Sequence, residues 1–536
     1  MKRALLGAVV LFSTVLTVEA VGPLATGQSQ PAASAMPAAD GRGVPAAPGA
    51  GPGRGGGFRN PAVALYTENC AGCHGTDLTG GRAPSLFDET WLHGGDDESI
   101  SRNIHDGFAT SGMIAFKDVL SDAQIWQLVG YIRSQAANLK GKPVYVPDPT
   151  NQIVKSEKQT FKIEVVTKGL ETPWGLAFLP DGRLLVTERP GRLRIIENGK
   201  LLPEGVKGLP KVWEKQDGGM FDVEVHPQYA SNGWIYLSYS EILPGYTPPP
   251  PPPADAPPPP PAPGGRGGRG GPPDPPTMTV IMRGKISKDG QWTDQQVLFR
   301  APAEVYSSSN AHYGSRFIFD KENHLFFTLG EKQQMMDAQD LSKPTGKIHR
   351  INDDGSIPKD NPFVGRSGVV QSIWSYGHRN PQGLAWDPVT GKLWESEHGP
   401  QGGDEINIIE PGRNYGWGVI TMGVQPGISK RSQEGMEQPI VYWTPSVAPS
   451  GIVFYSGDKY PGWKNNLFVS CLAGQQLKRL EISGDTVTHE EIVFNQFGRV
   501  HDVVVGPDGY LYTTLQLPGR QLSESTEGMV VRLIPQ

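Results

Sequence analysis

The sequence predicts a multidomain chain, a small all-α module followed by an all-β six-bladed propeller. From residue 158 onward a loose unit recurs: an apolar alternating strand, a turn rich in Asp, Gly, Asn or Pro, and a second strand. Ahead of it, residues 58–140 switch to helical spacing around a short Cys/His cluster. The 68 glycines and 50 prolines are concentrated, notably in residues 21–57 and 247–276. At 536 residues the chain exceeds one typical domain.

Lys2 and Arg3 precede an apolar run over residues 4–18, and Val18-Glu19-Ala20 ends in small residues where a signal peptidase reads. The run is shorter than the ~18–20 residues of a membrane span. Residues 1–20 are therefore expected to be a cleaved export signal, with an uncleaved anchor as the alternative, and no stable membrane span is expected. Export implies the periplasm. Residues 21–57 are Ala, Gly and Pro with little to bury, which predicts a disordered linker. Residues 247–276 hold proline runs and Gly-Gly-Arg repeats and read as an extended, solvated insertion. Net charge is −6 without a long basic run, which argues against nucleic acid as a partner.

Within 58–140, Cys70-Ala71-Gly72-Cys73-His74 is the attachment signature of a c-type haem. Two thiols form thioethers to the porphyrin and the histidine ligates iron. A zinc site would need a second Cys/His pair, and the one other cysteine, Cys471, stands in an apolar strand where it reads as a buried core thiol; a thioredoxin-like pair is the other alternative. Ser121 through Gln124 form a capping box, after which Ile125, Leu128, Val129 and Ile132 share one helical face. Met113 lies in the loop before this helix. In that arrangement the module resembles the small bacterial cytochrome c family, which implies Met113 as second axial ligand; Ile114 departs from the proline usual there. His93 and His105 are the alternatives. Residues 141–157 read as a linker to the second module.

Over residues 158–536 six hairpins can be counted. Their first strands begin near Trp174, Phe221, Arg316, Gly383, Gly451 and Asp502, and Asp-Gly or Asn-type turns supply residues that tolerate positive φ. Tandem hairpins at irregular spacing predict a propeller in which each hairpin forms the middle of one blade. The Pro-rich insertion then falls between strands of one blade.

Polar residues cluster just ahead of successive hairpins, at 216–219, 310–316, 377–383 and 498–502, and in the stretch 397–405. Together with Pro173-Trp174-Gly175, Gly377-His378-Arg379-Asn380-Pro381-Gln382-Gly383, the segment 399–407 and Asn414-Tyr415-Gly416-Trp417, they give the second module a resemblance to the soluble pyrroloquinoline quinone (PQQ)-dependent glucose/sorbosone and aldose sugar dehydrogenases. The resemblance implies a quinone over the propeller axis and Ca²⁺ upon it. It implies His312 as catalytic base, Gln216, Arg379 and Asn380 against the cofactor, and Arg499 and His501 at its carboxylates. It further implies Gly399 and Pro400 as backbone ligands of Ca²⁺, with Asp404 and Glu405 near a second Ca²⁺ site or, alternatively, as ordinary turn and surface charges. A histidine suits proton abstraction near neutrality, and calcium prefers oxygen ligands.

Three positions depart from the pattern. Ala473 stands near a lysine of the best-studied branch, His501 replaces a second arginine, and Gly330-Glu331 replaces Gly-Asp. The first two remove positive charge around the quinone, for which Lys478 or Arg479 could compensate. The sequence thus points to a periplasmic quinohaemoprotein. It would oxidise an aldose, or a related alcohol or aldehyde, and pass electrons through its haem c to a downstream periplasmic acceptor. The alternative is a propeller that only binds a sugar or a protein, joined to an electron-carrying cytochrome.

Overall fold

The computed structural model describes residues 147–536, apart from 249–272, 518–525 and a few loop positions, and most of residues 62–139. The expected signal peptide and first linker, and most of the insertion, lie outside the described residues.

The first module is helical. Asp96 caps the helix Asp97–Asp106 by accepting from the Ser99 amide at 2.8 Å. The helix Asp122–Leu139 begins with the expected capping box. Gln124 Oε1 accepts from the Ser121 amide at 3.0 Å, and the Gln124 amide donates back to Ser121 Oγ at 3.4 Å. Ile125, Leu128, Val129 and Ile132 are buried together with Ile100 and Ile104. Each such side chain contributes on the order of 1.5–3 kcal/mol by leaving water. The periodicity that predicted the helix is thus the face that holds the module together. No described helix is long and apolar enough to cross a membrane.

The second module is a ring of six antiparallel sheets. Blade I runs Pro173–Phe178, Leu184–Glu188, Arg192–Glu197 and Lys200–Leu201. Blades II to V begin at Met220–Val225, Gly314–Phe319, Pro381–Trp386 and Pro449–Tyr455, each with four strands. Blade VI closes the ring: Val503–Val505, Leu511–Gln516 and Glu527–Pro535 pair with Thr160–Glu171 from the start of the module, and Ile153–Lys155 adds a fifth strand. First and last segments of the propeller are therefore held by one hydrogen-bonded ladder. The insertion lies between Ile235–Ile242 and Thr277–Ile286, neighbouring strands of blade II. Cys471 is fully buried between blades IV and V.

One expectation needs correction. The conspicuous hairpins are the inner two strands of each blade, and the first strands of neighbouring blades touch around the axis. They stand out because both of their faces are buried, as in Leu184–Glu188 (all buried) against the mostly exposed outer strand Thr486–Phe494.

All six blades meet at Arg316. Its Nη1 lies 3.1 Å from Asp222 of blade II and 3.0 Å from Asp502 at the head of blade VI. Nε donates to Gln382 O of blade IV at 2.8 Å, and the guanidinium lies 4.4 Å from the ring centroid of Trp174 in blade I. Gly451 of blade V packs so close that a Cβ there would meet Asp502 Oδ1 at 2.1 Å. Burial pushes the Asp222 and Asp502 carboxyls up, and Arg316 pulls them back. This hub fixes the inner strands whose leading turns carry the site.

Candidate active site

His312 sits in the turn ahead of blade III with φ +57°. Asn380 Oδ1 accepts from the Gly314 amide at 3.0 Å, tying that turn to the head of blade IV. On the other side, Asp217 Oδ2 accepts from the His312 amide at 3.4 Å, and the Asp217 amide donates to Asn310 O at 3.0 Å. Gly330 lies beneath: a Cβ would stand 2.2 Å from His312 O, so no side chain fits there. The turn is thereby clamped from blades II, III and IV.

The imidazole is directed by Glu331, whose carboxylate accepts from Nδ1. Nε2 is left as the ring nitrogen able to take a proton. Burial, and next the guanidinium of Arg379, hold His312 well below the ordinary histidine range. Burial pushes the Glu331 carboxyl up to about 7 against the pull of Arg379 and Lys332. The effect is a neutral, oriented imidazole, which is the form a base requires.

Arg379 donates its amide to Glu397 at 2.6 Å and Nη1 to His398 O at 3.0 Å, with its guanidinium 5.2 Å from the Trp417 ring centroid. Its Nε is buried and finds no partner. Asn380 Nδ2 approaches His398 Nδ1 at 3.3 Å. Arg499 pairs with Gln516 through the backbone, while its buried Nε has no partner. His501 gives Nε2 to Gln516 Oε1 at 2.7 Å and leaves Nδ1 unsatisfied. Burial, with Arg499 next, lowers His501 to about 3, so it is neutral and adds no charge. Gln216 is exposed at φ +56°. Unsatisfied donors on Arg379 and Arg499 at the mouth of one axis fit a planar anionic cofactor with several carboxylates, such as PQQ.

The fit for calcium rests on the turn after His398. Among the described residues no hydrogen bond ends on the Gly399 or Pro400 carbonyl oxygen, so both remain available to a cation. Asp404 braces this turn. It is fully buried and accepts from the Gly399 amide (2.8 Å), Ser446 Oγ (2.6 Å) and the Val447 and Ala448 amides (2.6 and 2.7 Å). Three of these bonds converge on Oδ2 and one falls on Oδ1, so the carboxylate ties the Gly399 turn to the segment 446–448. Glu405 faces Glu397 across the blade IV ladder, and Asn407 Nδ2 approaches it at 3.4 Å. Lys478 and Arg479 are both engaged in ion pairs. Lys478 pairs with Glu490, and Arg479 with Glu157, Glu481 and Glu491.

In the helical module, Cys70 stands at the N-cap of the single turn Ala71–His74, and Cys73 lies within it. His74 Nδ1 donates to Pro84 O at 3.0 Å, leaving Nε2 for iron. The residues present therefore fit a covalently attached haem. Met113 is half-buried against the helical core and bridged to Phe108. His93 is exposed and stacks on Phe108 at 3.8 Å. His105 is 41% exposed and bonds Asp106 at 2.8 Å.

Sequence reasoning missed the Glu331–His312 pair, the Arg316 hub and Lys332. Glu331 carried a faint signal as the Gly-Glu variant of a Gly-Asp pair. A groove of about 670 Å³, lined by Glu164, Arg183, Tyr512 and Arg532 between blades VI and I, contains none of the predicted site residues.

The glucose/sorbosone dehydrogenase family matches residues 170–522, and the family of subunit III of cbb3-type cytochrome c oxidase matches residues 60–132. The aldose sugar dehydrogenase YliI of Escherichia coli is 38% identical over 385 residues, 70% of this chain and 93% of that protein. Quinoprotein glucose dehydrogenase B of Acinetobacter calcoaceticus is 26% identical over 446 residues, 68% of this chain and 87% of its own. The crystal structure of the soluble E. coli aldose sugar dehydrogenase in its apo form superposes with a TM-score of 0.59 at 37% identity. That match covers 70% of this chain and all of the E. coli one.

Proposed function

Since the chain belongs to the glucose/sorbosone dehydrogenase family and carries a cytochrome c domain ahead of it, we propose that it oxidises an aldose, or a related alcohol or aldehyde, in the periplasm and delivers the electrons through its own haem. When bound, PQQ supplies a carbonyl that accepts hydride, Ca²⁺ polarises it, and the haem carries electrons singly. The residues of this chain do the rest. His312 Nε2 takes the proton of the substrate hydroxyl, and Glu331 fixes the tautomer that makes this nitrogen the acceptor. Arg379 and Arg499 grip the anionic cofactor, Asn380 locks the head of blade IV to the base's turn, and the Gly399 and Pro400 carbonyls ligate calcium.

The observation that carries this reading is the neutral, carboxylate-oriented imidazole of His312 facing Arg379, whose buried Nε has no partner. The experiment is to load the purified chain with PQQ and Ca²⁺, add aldoses one by one, and follow haem absorbance. Haem reduction by at least one sugar supports the reading; none by any aldose, alcohol or aldehyde overturns it. His312→Ala should retain PQQ binding, measured by fluorescence titration, while turnover falls by roughly 10²–10⁴-fold. Dithionite should still reduce its haem.

A further inference from the structure

Lys332 follows Glu331 directly, and none of its surface reaches solvent. Its backbone and that of Gln333 lie in the left-handed region, at φ +54° and +60°. The turn is closed by the Gln334 amide donating to Glu331 O at 2.8 Å. Two such residues in succession cost roughly 1–2 kcal/mol each, so the surrounding contacts must hold them. This turn sends inward a side chain that almost always stays in water.

Inside, the ammonium donates to the carbonyl of Ser309 and lies 3.3 Å from the centroid of the Tyr313 ring. Ser309 and Tyr313 bracket His312. The Tyr313 hydroxyl is itself held 2.8 Å from Thr277 Oγ1, at the strand where the chain returns from the insertion. One buried cation therefore touches both ends of the turn that carries the imidazole. Asp217 and Glu331 are the carboxylates facing Lys332. Facing His312 are Glu331, Arg379, Asp217, His398 and Lys332 itself.

We propose that Lys332 is a positioning residue for His312: its buried ammonium holds the 309–313 turn and keeps the imidazole unprotonated as the medium becomes acidic. In a poorly solvated site a neighbouring positive charge disfavours the imidazolium. Burial lowers the Lys332 ammonium to about 7, with Asp217 and Glu331 resisting. The charge is thus present on the acid side, where the base is most exposed to protonation, and fades on the alkaline side, where no protection is needed.

The proposal rests on His312 being the proton acceptor, and the test separates the two. In the full-length apo-protein, histidine ring signals are followed by NMR against pH, with His312 assigned from its loss in His312→Ala. Lys332→Met should move the His312 midpoint upward, toward the ordinary histidine range, and Lys332→Arg should restore most of the difference. In the loaded enzyme, kcat/KM of Lys332→Met should fall roughly tenfold more at pH 5.5 than at pH 8. An unchanged His312 midpoint, or an equal loss of kcat/KM at every pH, would overturn the role of Lys332. If Lys332→Met does not fold, as a thermal melt would reveal, Lys332→Gln is used in the same comparison. A wild type whose activity does not depend on His312 would instead sink the base assignment, while the NMR shift would still report on the lysine.

Discussion

Arg316 of blade III and Asp502 at the head of blade VI lie 3.0 Å apart, so two blades on opposite sides of the ring are joined through one guanidinium at the axis. Asp222 completes the cluster from blade II. The remaining carboxylate oxygens receive backbone amides: Phe317 N donates to Asp222 Oδ2 and Leu176 N to Asp502 Oδ2, each at 2.9 Å. A charge set this satisfied contributes little over an apolar core, but breaking it is costly because the orphaned charges stay buried.

Arg316→Met should accordingly destabilise the propeller by about 3–5 kcal/mol, read as a lower urea midpoint. The deficit should shrink on acidification, because protonating Asp222 and Asp502 removes the uncompensated charge. A pH-independent deficit would mean that lost packing, and not charge, sets the cost.

The inner hairpins were legible because their information is local: two short apolar runs and an Asp-Gly or Asn turn, with Gly182 and Gly509 at φ +88° and +81° as such turns require. The helix Asp122–Leu139 was legible for the same reason, its capping box and apolar face lying within twelve residues of sequence. The outer strands were not, since a strand such as Thr486–Phe494 has one solvated face and little apolar signal. The pairing of His312 with Glu331 and the inward turn of Lys332 depend on how two hairpin ends pack. No local pattern records that. Asp404 shows the limit most sharply. An acidic residue beside a calcium-type loop suggests a ligand, yet three of its four bonds reach a loop more than forty residues onward.

Met113→Ala should lower the haem reduction potential and abolish the near-infrared sulfur-to-iron band, with the haem still covalently attached. Met113 is half-buried beside Phe108, whereas His105 is held at the surface by Asp106. An unchanged spectrum would pass the ligand role to His93, which stacks on the same Phe108.

Asp404→Asn should loosen the turn that presents the Gly399 and Pro400 carbonyls, since an amide nitrogen would face a backbone N–H where an oxygen now accepts. The Ca²⁺ concentration needed for half-maximal reconstitution with PQQ should rise roughly 10–100-fold, the range for groups that orient metal ligands. A Ca²⁺ midpoint equal to wild type would show that the turn keeps its shape without this brace.

His349 supplies the pH dependence of stability. It is fully buried in blade III and stacked on Phe327 at 4.8 Å, with Nε2 donating to Pro344 O at 2.8 Å and Nδ1 accepting from Ser372 at 2.9 Å. Burial lowers it to about 3 from an ordinary 6.5. Between those values the unfolded chain binds a proton that the folded chain refuses, so stability falls as pH drops below about 6.5 and the loss is complete below about 3. The slope from this residue is about 1.4 kcal/mol per pH unit within the window. His501, lowered to about 3 by burial and Arg499, acts in the same direction. Urea midpoints measured at pH 7 and pH 5 should therefore differ strongly in the wild type. His349→Gln should lower stability at pH 7, because two hydrogen bonds and a stacked ring are disturbed, yet narrow the gap between the two pH values. A variant that keeps the full wild-type gap would show that the proton is taken up elsewhere on unfolding.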